Sequence, residues 1–234
     1  MVNSNISNFK NKKVLVIFPH PDDETVMTGG LIQKLHSLGS KVTLVCLTSG
    51  DQGKIHIHGH GLSLGQIRKG EFTRAVTRLG VTDFEIFNFP DGKLRQTRIW
   101  QPVVTEYVRH FDLVFTYDPS GVTGHPDHIA LSLYLIKLLK KSKTQLCFVA
   151  PIGLIKDQLL DSRVAQFTTQ PDLVVRLSLK QRLRKWTAFI SHRSQYTLPT
   201  LFLALLVSFL PQSEGFAFYQ PQKKYPSRYI PFDF

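Results

Sequence analysis

Between Lys13 and Phe18 the chain reads KVLVIF, a continuous β-branched and apolar run of the kind a strand buried on both faces requires. The pattern recurs with helical stretches in between. A helix over roughly Glu24 to Leu38, ended by Gly39, leads to a second strand over Lys41–Leu47. A helix over Gln66–Leu79, with Gly80 as its C-cap glycine, leads to a third strand over Phe84–Phe89. A helix over Gln96–His110 precedes a strand over Asp112–Thr116, and a helix over His128–Leu139 precedes a strand over Gln145–Ala150. Alternation this regular predicts an α/β fold: a Rossmann-like, doubly wound, mostly parallel sheet with helices on both faces. Beyond it, Asp172–Leu177 reads as a strand and Leu179–Ile190 as a basic amphipathic helix.

With 234 residues, 42% of them hydrophobic, the chain has enough material for one domain and its core. We expect a single domain over residues 1–234, its core at about 13–150 and an extension at about 151–234 packed on it. Cys46 and Cys147 lie in apolar runs and read as buried free thiols, which suits a reducing cytoplasm. The first residues carry no apolar segment typical of a cleaved leader. Leu198–Leu210 is apolar but too short to span a membrane, which takes about 20 residues, so it reads as a buried helix first and a membrane-dipping face second.

In a doubly wound sheet, ligands bind beyond the carboxyl ends of the strands where the strand order reverses. That places function just after Phe18 and just after Thr116. The chain there reads Pro19-His20-Pro21-Asp22-Asp23-Glu24 and, after a short loop, Gly124-His125-Pro126-Asp127-His128. His20 and Asp23 are three residues apart, as are His125 and His128, so each pair can aim at one point from a single turn. Two ligands from one segment and one from the other would meet the three N or O ligands of a catalytic zinc site. Taken alone, an Asp at a helix start is as often a cap, and two His on one turn are unremarkable. Both segments at the strand ends selected by topology point to a metal site.

The segments His20-Pro21-Asp22-Asp23-Glu24 and His125-Pro126-Asp127-His128 resemble those of the PIG-L/LmbE family of zinc-dependent N-acetylglucosaminyl deacetylases. Supporting matches are Thr48–Gly53 after the second strand, Arg68 with Glu71, Asp91-Gly92, and Ser191–Gln195. The resemblance implies that His20, Asp23 and His128 bind zinc, or another divalent transition metal. It makes Asp22 the general base, gives His125 oxyanion stabilisation as a protonated imidazole and a part in delivering a proton to the leaving amine, and sets Asp127 beside it as a tuning group. Arg68 and Asp91 would contact sugar hydroxyls, while Glu24 is left as a helix cap or outer-layer group and His192 as a structural histidine. Some family members carry a tyrosine two residues before the first His of the second motif; here that position is Thr123, too short to replace it, so either His125 and the metal suffice, as in other family branches, or Tyr117 approaches from elsewhere.

The expected activity is therefore removal of the N-acetyl group from an N-acetylglucosamine-type conjugate. Rival readings are a metal-dependent hydrolase of another amide or acyl group and a non-catalytic sugar- or lipid-binding relative. His56, His58 and His60 alternate in the loop after the second strand and border the expected site. Lys and Arg number 29 against 17 Asp and Glu, a formal +12. From Asp172 onward there are nine basic residues and three acidic ones, which reads equally as a solvated helix face or as attraction to an anionic aglycone or an acidic lipid surface contacted peripherally. Nucleic acid is not expected, since no nucleic-acid module is present.

Overall fold

The computed structural model describes residues 5–54, 61–153, 156, 160–197, 209–223 and 225. The fully apolar run becomes β1 (Lys13–Phe18), and its neighbours are β2 (Lys41–Cys46) and β4 (Leu113–Tyr117), both parallel to it. With β3 (Asp83–Ile86) and β5 (Gln145–Val149) the parallel part runs β3-β2-β1-β4-β5. Strand order therefore reverses between β1 and β4, which opens a crevice at their carboxyl ends.

The side chains of β1 explain the uninterrupted run. Val14, Val16 and Phe18 enter one core, and Leu15 and Ile17 enter the other on the opposite face. The first core is closed by α1 (Asp23–Ser37) and α2 (Leu64–Leu79), through residues such as Leu31, Leu35, Phe72 and Val76. The second is closed by α3 (Gln101–Val108) and, beyond the short α4 (Gly121–Gly124), by α5 (Pro126–Leu139). Each such buried side chain contributes about 1.5–3 kcal/mol, so the residues after Phe18 follow a strand firmly anchored on both faces. Ser63 and Gln66 form a capping box that starts α2, and Gly80 ends it in the left-handed conformation (φ 88°).

Some boundaries differ from the sequence expectation. Helix α3 begins at Gln101 because residues before it form turns stapled by the Trp100 indole, which donates to the carbonyls of Leu94 and Thr97. The last third contributes β6 (Leu173–Arg176), α6 (Leu179–Phe189) and a strand missed in the sequence, β7 (Ser213–Phe218). β7 lies antiparallel between β5 and β6 and completes the seven-stranded sheet. Its sequence, SEGFAF, has no β-branched residue, and Gly215 is required because a Cβ there would lie 2.5 Å from the Ala150 carbonyl. The basic helix α6 is not basic all round. Lys185 is buried and pairs with Glu214 of β7 at 2.7 Å, while Glu214 also accepts the amides of Gly30 and Leu31 in α1. Among the described residues no helix is long and apolar enough to cross a membrane. The alternating His56, His58 and His60, and residues 198–208 of the apolar run, lie outside the described residues.

Candidate active site

The chain leaves β1 through Pro19 and turns sharply into α1 at Asp22, which adopts φ 109°, ψ −32°. That conformation is unfavourable for a residue with a Cβ and persists only where its surroundings over-determine it. Here the Asp22 amide donates to Glu24 Oε2 at 2.9 Å, and the Arg68 guanidinium binds both the Pro21 carbonyl and Asp22 Oδ2, the latter at 3.0 Å. The second motif starts α5 more simply. His125 is the N-cap, its Nδ1 accepting the Asp127 amide at 3.2 Å, and Pro126 occupies the first turn, where no amide is missed.

Three atoms from the two motifs converge. His20 Nδ1 lies 3.1 Å from His128 Nε2, and Asp23 Oδ2 lies 3.6 Å from the first and 3.4 Å from the second. The outer nitrogens fix both tautomers. His20 Nε2 faces Asp91 Oδ1 at 3.1 Å and Asp127 Oδ2 at 3.3 Å, so it must donate. His128 Nδ1 faces the Gly121 carbonyl at 3.0 Å and must donate as well. The two inner nitrogens and a carboxylate oxygen thus face one another, an arrangement suited to sharing a cation. Three ligand atoms about 2.0–2.1 Å from one zinc ion at tetrahedral angles lie about 3.4 Å apart, which the observed triangle matches. Tyr117 donates to Asp23 Oδ1 at 2.7 Å and stacks on the His128 ring at 4.0 Å, fixing two of the three groups from behind.

The charges agree with this reading. Burial works against a charge on His20, but Asp127, Asp23 and Asp91 outweigh it and hold its pKa well above the ordinary histidine value. Burial likewise opposes ionisation of Asp23, yet His128 and His20 hold it well below the usual carboxylate range. A second triad, His20–His125–His128, also lies within ligand reach, as does His20–Asp91–Asp127. Both carboxylate oxygens of Asp127, however, are already engaged by the Gly92 and Leu94 amides, at 2.8 and 2.9 Å. The Asp91 carboxylate accepts the Gln52 amide at 2.8 Å. Those engagements leave His20–Asp23–His128 and His20–His125–His128 as the sets whose ligand atoms converge.

The cleft in front of this triangle has a volume of about 280 Å³, with Asp22, His125, Arg68, Gln52 and Gly92 in its lining. Burial pushes the Asp22 carboxyl up to about 6, with Arg68 pulling it down and Asp23 pushing it further up. Burial pulls His125 down to about 4, helped by the neighbouring His128 and His20. With Nδ1 occupied as an acceptor, His125 at neutral pH is an uncharged ring that presents an Nε2–H donor, where the sequence suggested an imidazolium.

Several expected residues have other immediate partners. Arg68 is buried and its two terminal nitrogens donate to Gly50, Pro21 and Asp22, so it clamps Asp22, while its Nε has no partner among the described residues. Asp91 and Asp127 both orient His20, and Asp127 meets the His125 ring only through its backbone amide. Thr123 is turned onto the Gly121 carbonyl, and Tyr117 is committed to Asp23. Glu24 and His192 form a buried pair at 2.9 Å, and Glu71 holds Ser194 rather than Arg68. Position at the carboxyl end of β4 was the one sequence signal for Tyr117.

A model of the PIG-L family, described as GlcNAc-PI de-N-acetylase, matches residues 15–139. A probable N-acetylglucosaminyl-phosphatidylinositol de-N-acetylase of Dictyostelium discoideum is 29% identical over 147 residues, which is 59% of this chain and 54% of that protein. A probable N-acetyl-α-D-glucosaminyl L-malate deacetylase of Bacillus cereus is 28% identical over 194 residues, covering 79% and 84%. The chain thus spans about half the length of the first relative and most of the second. Among solved structures, an N,N'-diacetylchitobiose deacetylase from Pyrococcus horikoshii superposes with a TM-score of 0.70 at 25% identity, over 93% of this chain and 88% of that one.

Proposed function

This chain belongs to the PIG-L family, and from that premise we propose that it hydrolyses the N-acetyl amide of an N-acetylglucosamine-type conjugate with a divalent metal, zinc by preference, held by His20, Asp23 and His128. The observation that carries the reading is the convergence of two imidazole lone pairs and a carboxylate oxygen within 3.1–3.6 Å, in the cleft that Asp22 and His125 line. Zinc bound there supplies a Lewis acid that brings the pKa of a water to about 7 and polarises an acyl oxygen.

The chain's own groups do the rest. Asp22 is the base that accepts a proton from the attacking water as the new C–O bond forms. Its pKa near 6 leaves it mostly ionised at neutral pH yet basic enough to hold that proton. The Nε2–H of His125 donates to the acyl oxygen as charge develops on it. When the C–N bond breaks, the proton on Asp22 goes to the departing nitrogen, and acetate and free amine leave. Arg68 keeps the Asp22 carboxylate on the cleft side, and Asp91, Asp127 and Tyr117 keep the metal-facing atoms aimed.

We take the aglycone to be anionic or lipid-linked, and the chain to work in the cytoplasm, where Cys46 and Cys147 stay reduced. Support for the first comes from α6, where exposed Leu179 and Leu183 are four residues apart and flanked by exposed Lys180 and Arg184. The test is to incubate zinc-loaded protein with N-acetylglucosaminyl-inositol, N,N'-diacetylchitobiose and simple N-acetyl amides, following free amine and acetate together. Stoichiometric amine and acetate from a sugar conjugate is expected. No amine from any of them, or equal turnover of the simple amides, would overturn the reading.

A further inference from the structure

We propose that Glu24 and His192 are positioning residues for Asp22, through which the last third of the chain takes part in the reaction assigned above, on which this inference rests. Asp22 is held in its left-handed conformation from two sides. Arg68 takes its carboxylate, and Glu24 Oε2 takes its backbone amide at 2.9 Å. Turning Asp22 back toward ordinary helical geometry would break the second bond and swing the carboxylate away from the cleft. What fixes Glu24 therefore fixes the base.

Glu24 is wholly buried, and its other oxygen, Oε1, accepts from Thr25 Oγ1 at 2.5 Å and meets His192 Nε2 at 2.9 Å, 168 positions along the chain. His192 is also wholly buried, and its Nδ1 has no partner among the described residues. A histidine kept for packing alone would satisfy both nitrogens or be replaced by an apolar side chain. This one directs only Nε2 to side chains, to the carboxylate that holds Asp22 at 2.9 Å and, more distantly, to Thr25 Oγ1 at 3.5 Å, which itself donates to that carboxylate. Its segment is docked independently: the amide and hydroxyl of Ser194 bind Glu71 at 2.8 and 2.7 Å. Glu71 sits one helical turn from Arg68 on α2, so one helix secures both of the supports that converge on Asp22.

The experiment compares wild-type zinc-loaded protein with His192→Leu, which removes the donor, and His192→Gln, which can supply one. For His192→Leu we expect kcat to fall about ten- to a hundredfold, with KM and zinc content unchanged. His192→Gln should recover most of the loss. In an Asp22→Asn background His192→Leu should cost nothing further, because the group it positions is already gone. If His192→Leu does not fold, Glu24→Gln carries the same test, since one amide oxygen cannot serve three donors, and kcat should again fall with zinc retained. A full kcat in folded His192→Leu or Glu24→Gln, an equal loss in the Asp22→Asn background, or a loss explained by missing zinc would overturn the proposal. Should wild-type protein release no amine from the sugar probes, the reaction assignment fails, and hydrogen exchange of the Asp22 amide decides the positioning claim. Faster exchange in His192→Leu than in wild type supports it, and equal exchange refutes it.

Discussion

The turns His20-Pro21-Asp22 and His125-Pro126-Asp127 have the same three residues and the same place, at the carboxyl end of adjacent strands and the start of a helix. Their side chains are used in opposite ways. In the first turn the histidine faces Asp23 and His128 and the aspartate faces the cleft, perched at φ 109° and held by an arginine. In the second turn the histidine caps the helix and faces the cleft, while the aspartate is buried on two backbone amides and the ring of His20. Identical tripeptides therefore exchange roles between reactive group and scaffold. Backbone conformation and neighbours that are distant in sequence decide which is which.

The sharpest way to break this comparison is to change both aspartates identically. Asp22→Asn should lower kcat by about 10²–10⁴-fold with zinc retained. Asp127→Asn should instead weaken zinc binding by about 10–100-fold, because it loosens the orientation of His20. Matching phenotypes in turnover and metal titrations would abolish the distinction. The histidines should divide along the same line. His20→Ala is expected to lose the metal, whereas His125→Ala should keep it and lose about 10²-fold in kcat, measured at saturating substrate.

Smaller effects sharpen the picture through pH. Asp22 must be ionised to act, so kcat/KM should fall as pH drops through a limb at or below about 6, since a bound cation can only lower it. That limb should vanish in Asp22→Asn. His20 is held above the ordinary histidine value in the metal-free site, so zinc binding there competes with a proton. Calorimetric titration of the metal-free protein in buffers of different ionisation enthalpy should therefore report proton release on zinc binding that grows as pH falls.

Much of the site could be read from residue order, because each motif packs its groups into one turn and each turn ends a strand whose apolar run is unmistakable. Topology brought the two motifs together, but the supports that reach them from distant segments escaped sequence reading. Arg68 and Asp22 are 46 residues apart, and His20 and Asp127 are 107 apart. Nothing local tells Asp91 or Asp127 that its partner is His20. Strand β7 escaped for a related reason. SEGFAF has weak strand character of its own and is ordered by β5 and β6 on either side of it.

The most direct test of the central claim is X-ray absorption at the zinc edge on the protein loaded with one equivalent of zinc. His20, Asp23 and His128 as ligands predict two imidazole nitrogens among otherwise oxygen neighbours, with one imidazole lost in His128→Ala and none lost in His125→Ala. Three imidazoles in the native protein, one of them lost in His125→Ala, or failure to retain one zinc per chain, would contradict it.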